Sequence, residues 1–201
     1  MELAKKYDLL ISQGVTACIE SETPKDVPNA KNHIIGSVRQ LCDSAVEQAK
    51  LLGYETVFLT DNLCCEASQA GQELAILLKK HATSGRKLAY IAGGETVVHV
   101  KGRGLGGRNQ ELVLAAAIEL SDVPNVALLS IGSDGTDGPT DAAGGCVDGE
   151  TYRNMSEKGL SAEAFLADND AYHALEAIGG LVKTGPTGTN VNDLVVGLIL
   201  P

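Results

Sequence analysis

Clustered positive charge is what this sequence has least of. Its 201 residues carry 16 Lys and Arg against 26 Asp and Glu, a formal net charge of −10. Nucleic acid and anionic membrane surfaces bind through clustered Lys and Arg, so neither is an expected partner. No apolar run approaches the roughly 20 residues of a membrane-spanning helix. The opening Met1-Glu-Leu-Ala-Lys-Lys6 has no signal-peptide hydrophobic stretch, and the expected location is cytoplasmic. The five cysteines, at 18, 42, 64, 65 and 146, form no Cys-x-x-Cys pair, and their odd number does not suggest a disulfide framework. Even the neighbours Cys64 and Cys65 have no His near them and would bridge only with strain, so the thiols are read as reduced and structural. His33, His81, His99 and His173 show no metal-ligand spacing. A Walker A lysine motif is missing, which excludes a P-loop NTPase, and a Ser-His-Asp hydrolase has no G-x-S-x-G elbow to support it.

With 44% hydrophobic and 21% charged residues, the chain is long enough to bury one good core. Residues 1–32 are weakly patterned: a short helical signal at Leu3–Ile11 is followed by the extended connector Ser21–Pro28. They are read as an arm, and 33–201 as an α/β domain. Val38, Leu41, Cys42, Ala45, Ala49 and Leu52 fall on one helical face that Gly53 closes. Thr56–Thr60 reads as a buried strand, Glu66–His81 as an amphipathic helix and Lys87–Ala92 as a second strand. Val97–Val100 reads as a further strand, too close behind Ala92 for a crossover helix, so the sheet should be mixed. Glu111–Leu120 is apolar nearly all round and should lie between layers. Val126–Ile131 is the next strand, helical patterning follows over 149–158, 161–166 and 169–178, and Leu194–Leu200 is a final strand built into the sheet. Asp168 is the expected N-cap of the third of these helices.

Gly102-Arg-Gly-Leu-Gly-Gly-Arg-Asn-Gln-Glu111 is the stretch the chain is expected to present. Its glycines stand where backbone turns into helix, a junction that points free N–H groups outward, and Arg108 adds a forked positive charge. The simplest ligand is a phosphate. After Ile131 comes Gly132-Ser-Asp-Gly-Thr-Asp-Gly-Pro-Thr-Asp141, whose Asp134, Asp137 and Asp141 are of the type that holds Mg²⁺ together with phosphate oxygens. Loops beyond the strand ends of an open α/β sheet face ligands, so the two are expected to share one site with the polar loop Thr184–Asn190. A rival exists: Gly102, Gly104 and Gly107 also fit the dinucleotide fingerprint, with Asp134 in the ribose-binding position, though later than the usual spacing of about 20 residues.

Four blocks in order carry a family likeness: Gly93-Gly-Glu-Thr96, Lys101–Leu112, Gly132–Gly144 and Thr184–Leu194. Together they resemble the C-terminal MOFRL region of the type II glycerate kinases, some of which are also labelled hydroxypyruvate reductases. Glu22–Lys25, Asn32–Ser37 and Leu52–Tyr54 are similar to the segment that precedes that region, so the likeness runs from about residue 7 to the end, with 87–201 the MOFRL-like part. The resemblance implies ATP- and Mg²⁺-dependent phosphorylation of D-glycerate, usually at the 2-hydroxyl, in a cleft between two α/β domains. It implies Arg108 as catalytic arginine and Asp134 as catalytic aspartate. Glu95, Gly102, Gly104, Gly106, Gly107, Asn109, Thr184, Gly185, Thr187, Gly188 and Asn190 are the candidate phosphate- or substrate-binding residues, and Asp134 and Asp137 the candidate metal ligands. The family's N-terminal part, with a glycine-rich phosphate loop and a catalytic lysine, has no counterpart here. An N-terminal kinase domain, in cis or as a separate chain, is therefore an expected partner, and a homodimer is possible. Ser133 stands where Thr is usual, Val38 replaces an expected Asn, and Cys64-Cys65 depart from the usual residue pair before Glu66. Two alternatives stay open: an NAD(P)H-dependent hydroxypyruvate reductase, and a non-catalytic fragment or binding module.

Overall fold

The computed structural model describes residues 29–31 and 33–201. The helical signal at Leu3–Ile11 and the connector at Ser21–Pro28 lie outside them. The chain divides into two units, Met1–Ile35 and Gly36–Pro201, and the second holds every element given below.

Helix α1 (Val38–Leu51) starts where the Ser37 hydroxyl accepts from the Gln40 N–H, and the chain leaves it through Gly53 at φ 80°. Strand β1 (Glu55–Leu63), helix α2 (Ala67–His81) and strand β2 (Leu88–Gly94) follow. Next come α3 (Arg108–Glu119), β3 (Val126–Gly132) and β4 (Gly144–Asp148), then the short helices α4 (Thr151–Glu157), α5 (Ala162–Ala167) and α6 (Ala171–Ile178). A two-residue β5 (Leu181–Val182) and the last strand, β6 (Asp193–Ile199), complete the unit. One six-stranded sheet results, in the order β1-β2-β6-β3-β4-β5. Only β1 and β2 pair in parallel, and the other neighbours are antiparallel, so the sheet is mixed as expected.

Side-chain alternation divides the core between the two faces of the sheet. On β2, Ala89 and Ile91 pack with Cys42 and Ala49 of α1, while Leu88, Tyr90 and Ala92 pack with Ala70 and Leu78 of α2 and Leu112 and Ala116 of α3. A further cluster joins Leu114 of α3 to Met155, Ala162, Ala171 and Ala174 of α4, α5 and α6. Helix α3 is thus enclosed by the sheet, α2 and the three short helices. Every residue from Asn109 to Ala117 is buried, which is why the run from Leu112 to Ala117 is apolar all round.

Some expected elements differ. Val97–Val100 is not a strand: only Val97 makes an isolated bridge, to Glu66. The reason lies in the register, because Gly94 already pairs with Leu63 at the end of β1 and with Asp193 at the start of β6. Beyond Gly94 there is no sheet left to join, whatever the β-propensity of the valines. The Gly144–Asp148 strand was hidden by its paired glycines and forms through antiparallel pairing with β3. Asp168 caps the C-terminal end of α5 instead of starting α6, whose N-cap is Asp170.

Helices α2 and α3 touch through backbone. A Cβ on Gly71 would lie 2.0 Å from the Leu112 carbonyl oxygen, which a side chain could occupy only by prising the helices apart. Gly71→Ala should therefore lower unfolding stability by about 1–3 kcal/mol in urea titration. An unchanged midpoint would show that the contact yields.

Candidate active site

Asp193, the first residue of β6, pairs with Gly94 on one side and Gly132 on the other, so the loops leaving β2 and β3 begin on either side of its carboxylate. Arg108, the first residue of α3, meets that carboxylate with two parallel bonds, Nε to Oδ2 at 2.6 Å and Nη2 to Oδ1 at 2.9 Å. Its Nη1 lies 3.2 Å from Oε1 of Glu95. The Asp193 side chain is 5% exposed and that of Arg108 34%, so the pair is rooted in the protein while the guanidinium stays partly exposed beside Glu95. The bonds from Asp193 raise the affinity of Arg108 for its proton further, and the charge is permanent.

The N-terminal turn of α3 is capped from inside the chain. Asp137 Oδ1 accepts from the backbone and side-chain N–H groups of Asn109, and Oδ2 from those of Gln110, at 2.9–3.2 Å. Burial pushes the Asp137 carboxyl pKa up, and these donors pull it back. Gly107 is required here, because a Cβ would stand 2.3 Å from the Asp137 Cγ. Asp137, a candidate metal ligand from the sequence, is here a buried helix cap with both oxygens engaged by α3 donors. Asn109 is equally committed: it is buried, and its Oδ1 accepts from Ser130 Oγ at 2.5 Å.

The glycine loop is held in the same way. Lys101 N and Gly102 N donate to Asn169 Oδ1, Arg103 N to Asp168 Oδ1, Gly104 N to the Asp168 carbonyl, and Leu105 N to Asp170 Oδ1. Asn169 adopts φ 53° to make these bonds and donates through Nδ2 to Glu111 Oε2 at 3.0 Å. The N–H groups of 101–105, expected to be free for a phosphate, are thus taken by this chain's own acids and amide. The loop positions Arg108. The same bonds count against a dinucleotide fingerprint, as does the lack of a strand entering the loop.

Asp134 Oδ1 accepts from Thr136 N at 2.9 Å, which closes a local turn. Asp134 Oδ1 and Asp193 Oδ1 lie 3.1 Å and 3.6 Å from the point a Cβ would occupy on Gly132, so Asp134 sits at the same sheet end as the Arg108 pair. The loop Thr184–Asn190 folds over this turn: Thr187 N donates to the Asp134 carbonyl, Thr187 and Thr189 hydroxyls to the Ser133 carbonyl, and the Ser133 hydroxyl accepts from Val191 N. Asp141 lies apart, bonded to Lys183 Nζ and Tyr172 OH, and the Lys183 ammonium holds its carboxyl below the usual range. Among the described residues no group of three or more His, Cys, Asp or Glu is placed to hold a metal ion.

A cavity of about 710 Å³ opens beside Arg108. Glu95, Gly104, Gly106, Gly107 and Arg108 of the expected set line it, together with Glu111 and the valines at 97, 98 and 100. Gly102 is packed against Asp168, and Thr184, Gly185, Thr187, Gly188 and Asn190 lie over the Ser133–Gly135 turn, outside the cavity wall. Asp193, Glu111 and Asn169 were not singled out from the sequence. Asp193 closes a block that resembles the family, and Asn169 stands between two aspartates, but neither pattern says which loop it reaches.

Asp137→Ala would strand the buried N–H groups of Asn109 and Gln110. A loss of about 2–4 kcal/mol in chemical unfolding is expected, from the missing cap and the unpaired donors together. Wild-type stability in that variant would mean that the first turn of α3 finds other partners.

Residues 88–193 match the MOFRL family. The D-glycerate 2-kinase of Thermotoga maritima is 48% identical over 204 residues, a match that takes in 100% of this chain and 49% of that protein. The glycerate 2-kinase of Pyrococcus horikoshii is 39% identical over 196 residues, with 95% and 44% covered. The name hydroxypyruvate reductase stands on another relative, from Agrobacterium vitis. The crystal structure of the Thermotoga maritima glycerate kinase superposes with a TM-score of 0.84 at 49% identity, over 99% of this chain and 49% of that one. The chain spans about half the length of these relatives. No helix among the described residues is long and apolar enough to cross a membrane. The match from Leu88 to Asp193 covers the capped helix, both glycine-flanked loops and the acid that holds Arg108, and on this evidence the chain belongs to the MOFRL family.

Proposed function

We propose that this chain forms the C-terminal wall of the active site of an ATP- and Mg²⁺-dependent glycerate 2-kinase, which converts D-glycerate to 2-phosphoglycerate. The observation that carries the reading is the Arg108 guanidinium, fixed by Asp193 and partly exposed at the sheet end where Asp134 also lies. Phosphoryl transfer asks little covalent chemistry of a protein and much positive charge in a fixed place. Arg108 supplies it, and its fork fits a phosphate. Asp134 has the remaining role of a carboxylate: Oδ1 is tied to Thr136 N, and Oδ2, with no hydrogen-bond partner among the described residues, would accept the proton of the glycerate hydroxyl or hold the metal. Mg²⁺, which takes one or two carboxylates plus phosphate oxygens, would be bound by Asp134 with the nucleotide and would neutralise phosphate charge there.

Glycerate, ATP and the second half of the site come to this reading from the relatives, whose greater length leaves room for a further domain. The chain on its own is expected to be a poor catalyst.

The test is a glycerate phosphorylation assay on the chain alone and mixed with the N-terminal half of the Thermotoga maritima relative. Activity should appear on mixing, and Arg108→Ala should reduce it by at least about 100-fold. Robust phosphorylation by the chain alone would contradict the two-part site. Thermal stabilisation by NADH and none by MgATP would overturn the kinase reading in favour of a reductase.

A further inference from the structure

The cavity beside Arg108 is larger and less polar than a three-carbon hydroxy acid needs. Pockets of about 300–1,000 Å³ take ligands of drug size, and this one measures about 710 Å³. One wall is apolar: Val97, Val98, Val100, Pro139 and Ala171. Val97 is 49% exposed and Val100 76%, which for β-branched apolar side chains is surface left for a partner. The charged part of the lining is Arg108 with the carboxylates Glu95 and Glu111, and the backbone of Gly106 and Gly107 lies beside the guanidinium.

Glu111 adds a specific demand. It is 6% exposed, yet it lines the cavity. Its Oε2 accepts from Asn169 Nδ2, and Oε1 has no hydrogen-bond partner among the described residues. The Asn169 amide cannot turn to offer anything else, because its Oδ1 already accepts from Lys101 N at 2.7 Å and Gly102 N at 3.0 Å. Burial raises the Glu111 pKa, as befits a carboxylate short of donors. The cavity therefore suits a ligand with an apolar body and a hydrogen-bond donor on that body, with the Arg108 guanidinium at its edge to meet an anionic end.

We infer that this cavity takes the nucleoside end of the nucleotide, with a donor of the base or ribose on Glu111 and the phosphates directed toward Arg108. The inference rests on the kinase reading and goes beyond it in assigning a place to the nucleoside. Glycerate is then left to the Asp134 side of the guanidinium, so that Arg108 stands between the two substrates.

The test is calorimetric titration of the 201-residue chain with adenosine and, separately, with MgATP. Adenosine should bind on its own and compete with MgATP. Glu111→Gln keeps the volume but turns an N–H₂ toward the ligand's donor, and should weaken adenosine by at least about tenfold. Val100→Glu, at an exposed position where folding should be unaffected, should weaken it as well by charging the apolar wall. Arg108→Ala should weaken MgATP while leaving adenosine within about twofold, since removing a guanidinium reports on phosphate alone. Binding of MgATP without adenosine, or adenosine affinity unchanged in either the Glu111 or the Val100 variant, would overturn the nucleoside assignment and leave the kinase reading standing. If neither ligand binds, the nucleoside assignment fails, and the kinase reading is judged by the phosphorylation assay on the mixed halves.

Discussion

The ion pair between Arg108 and Asp193 joins the innermost helix to a central strand, and the arrangement of the site follows from it. Two charges taken out of water recover their desolvation cost only when the geometry is good. Here two bonds at 2.6 and 2.9 Å meet that condition. The gain is in aim more than in stability: the guanidinium is planar, and two fixed contacts leave it little rotation. Because Gly94 and Gly132 flank Asp193 in the sheet, the same carboxylate relates Arg108 to the chain leaving both β2 and β3. Lysine at this position would keep the charge and lose the direction.

A second constraint acts on the same helix. The first turn of α3 would present free N–H groups, and a buried helix end without partners is costly. Asp137 supplies the partners, and Asp168, Asn169 and Asp170 do the same for the loop before it. Much of the acidic character of the chain in this region is thus internal, and it prepares an edge of positive charge instead of opposing one. Glu111, which lines the cavity, and Glu95 are exceptions, and Glu95, half exposed beside Arg108 at 3.2 Å, competes with any anion for the guanidinium.

The parts legible in the sequence were those fixed by local pattern. The all-round apolar run of α3 required burial between layers, and the apolar β6 required a place inside the sheet; both follow from periodicity, which a sequence displays. Val97–Val100 misled because β-branched residues read as strand wherever they stand, and only the register of the neighbours shows that the sheet has ended. The site divides likewise. Arg108 and Asp134 could be chosen from charge and setting. The capping role of Asp137 could not be read locally, since a carboxylate among glycines looks the same whether it faces solvent or caps a helix 28 residues earlier in the chain. The partners from Asp168 to Asp170 are more than 60 residues from the loop they hold, and no local rule reaches that far.

The order of strands has one more consequence. Of the six strands of this sheet β6 comes latest in the sequence, yet it lies between β2 and β3 and supplies hydrogen bonds to both. While the polypeptide is emerging from the ribosome, β1 and β2 can pair on one side and β3 and β4 on the other, but the two halves have no shared edge until residues 193–199 arrive. Nascent chains would therefore expose two unpaired strand edges until that segment is made, the condition under which chaperones and aggregation compete for a growing protein.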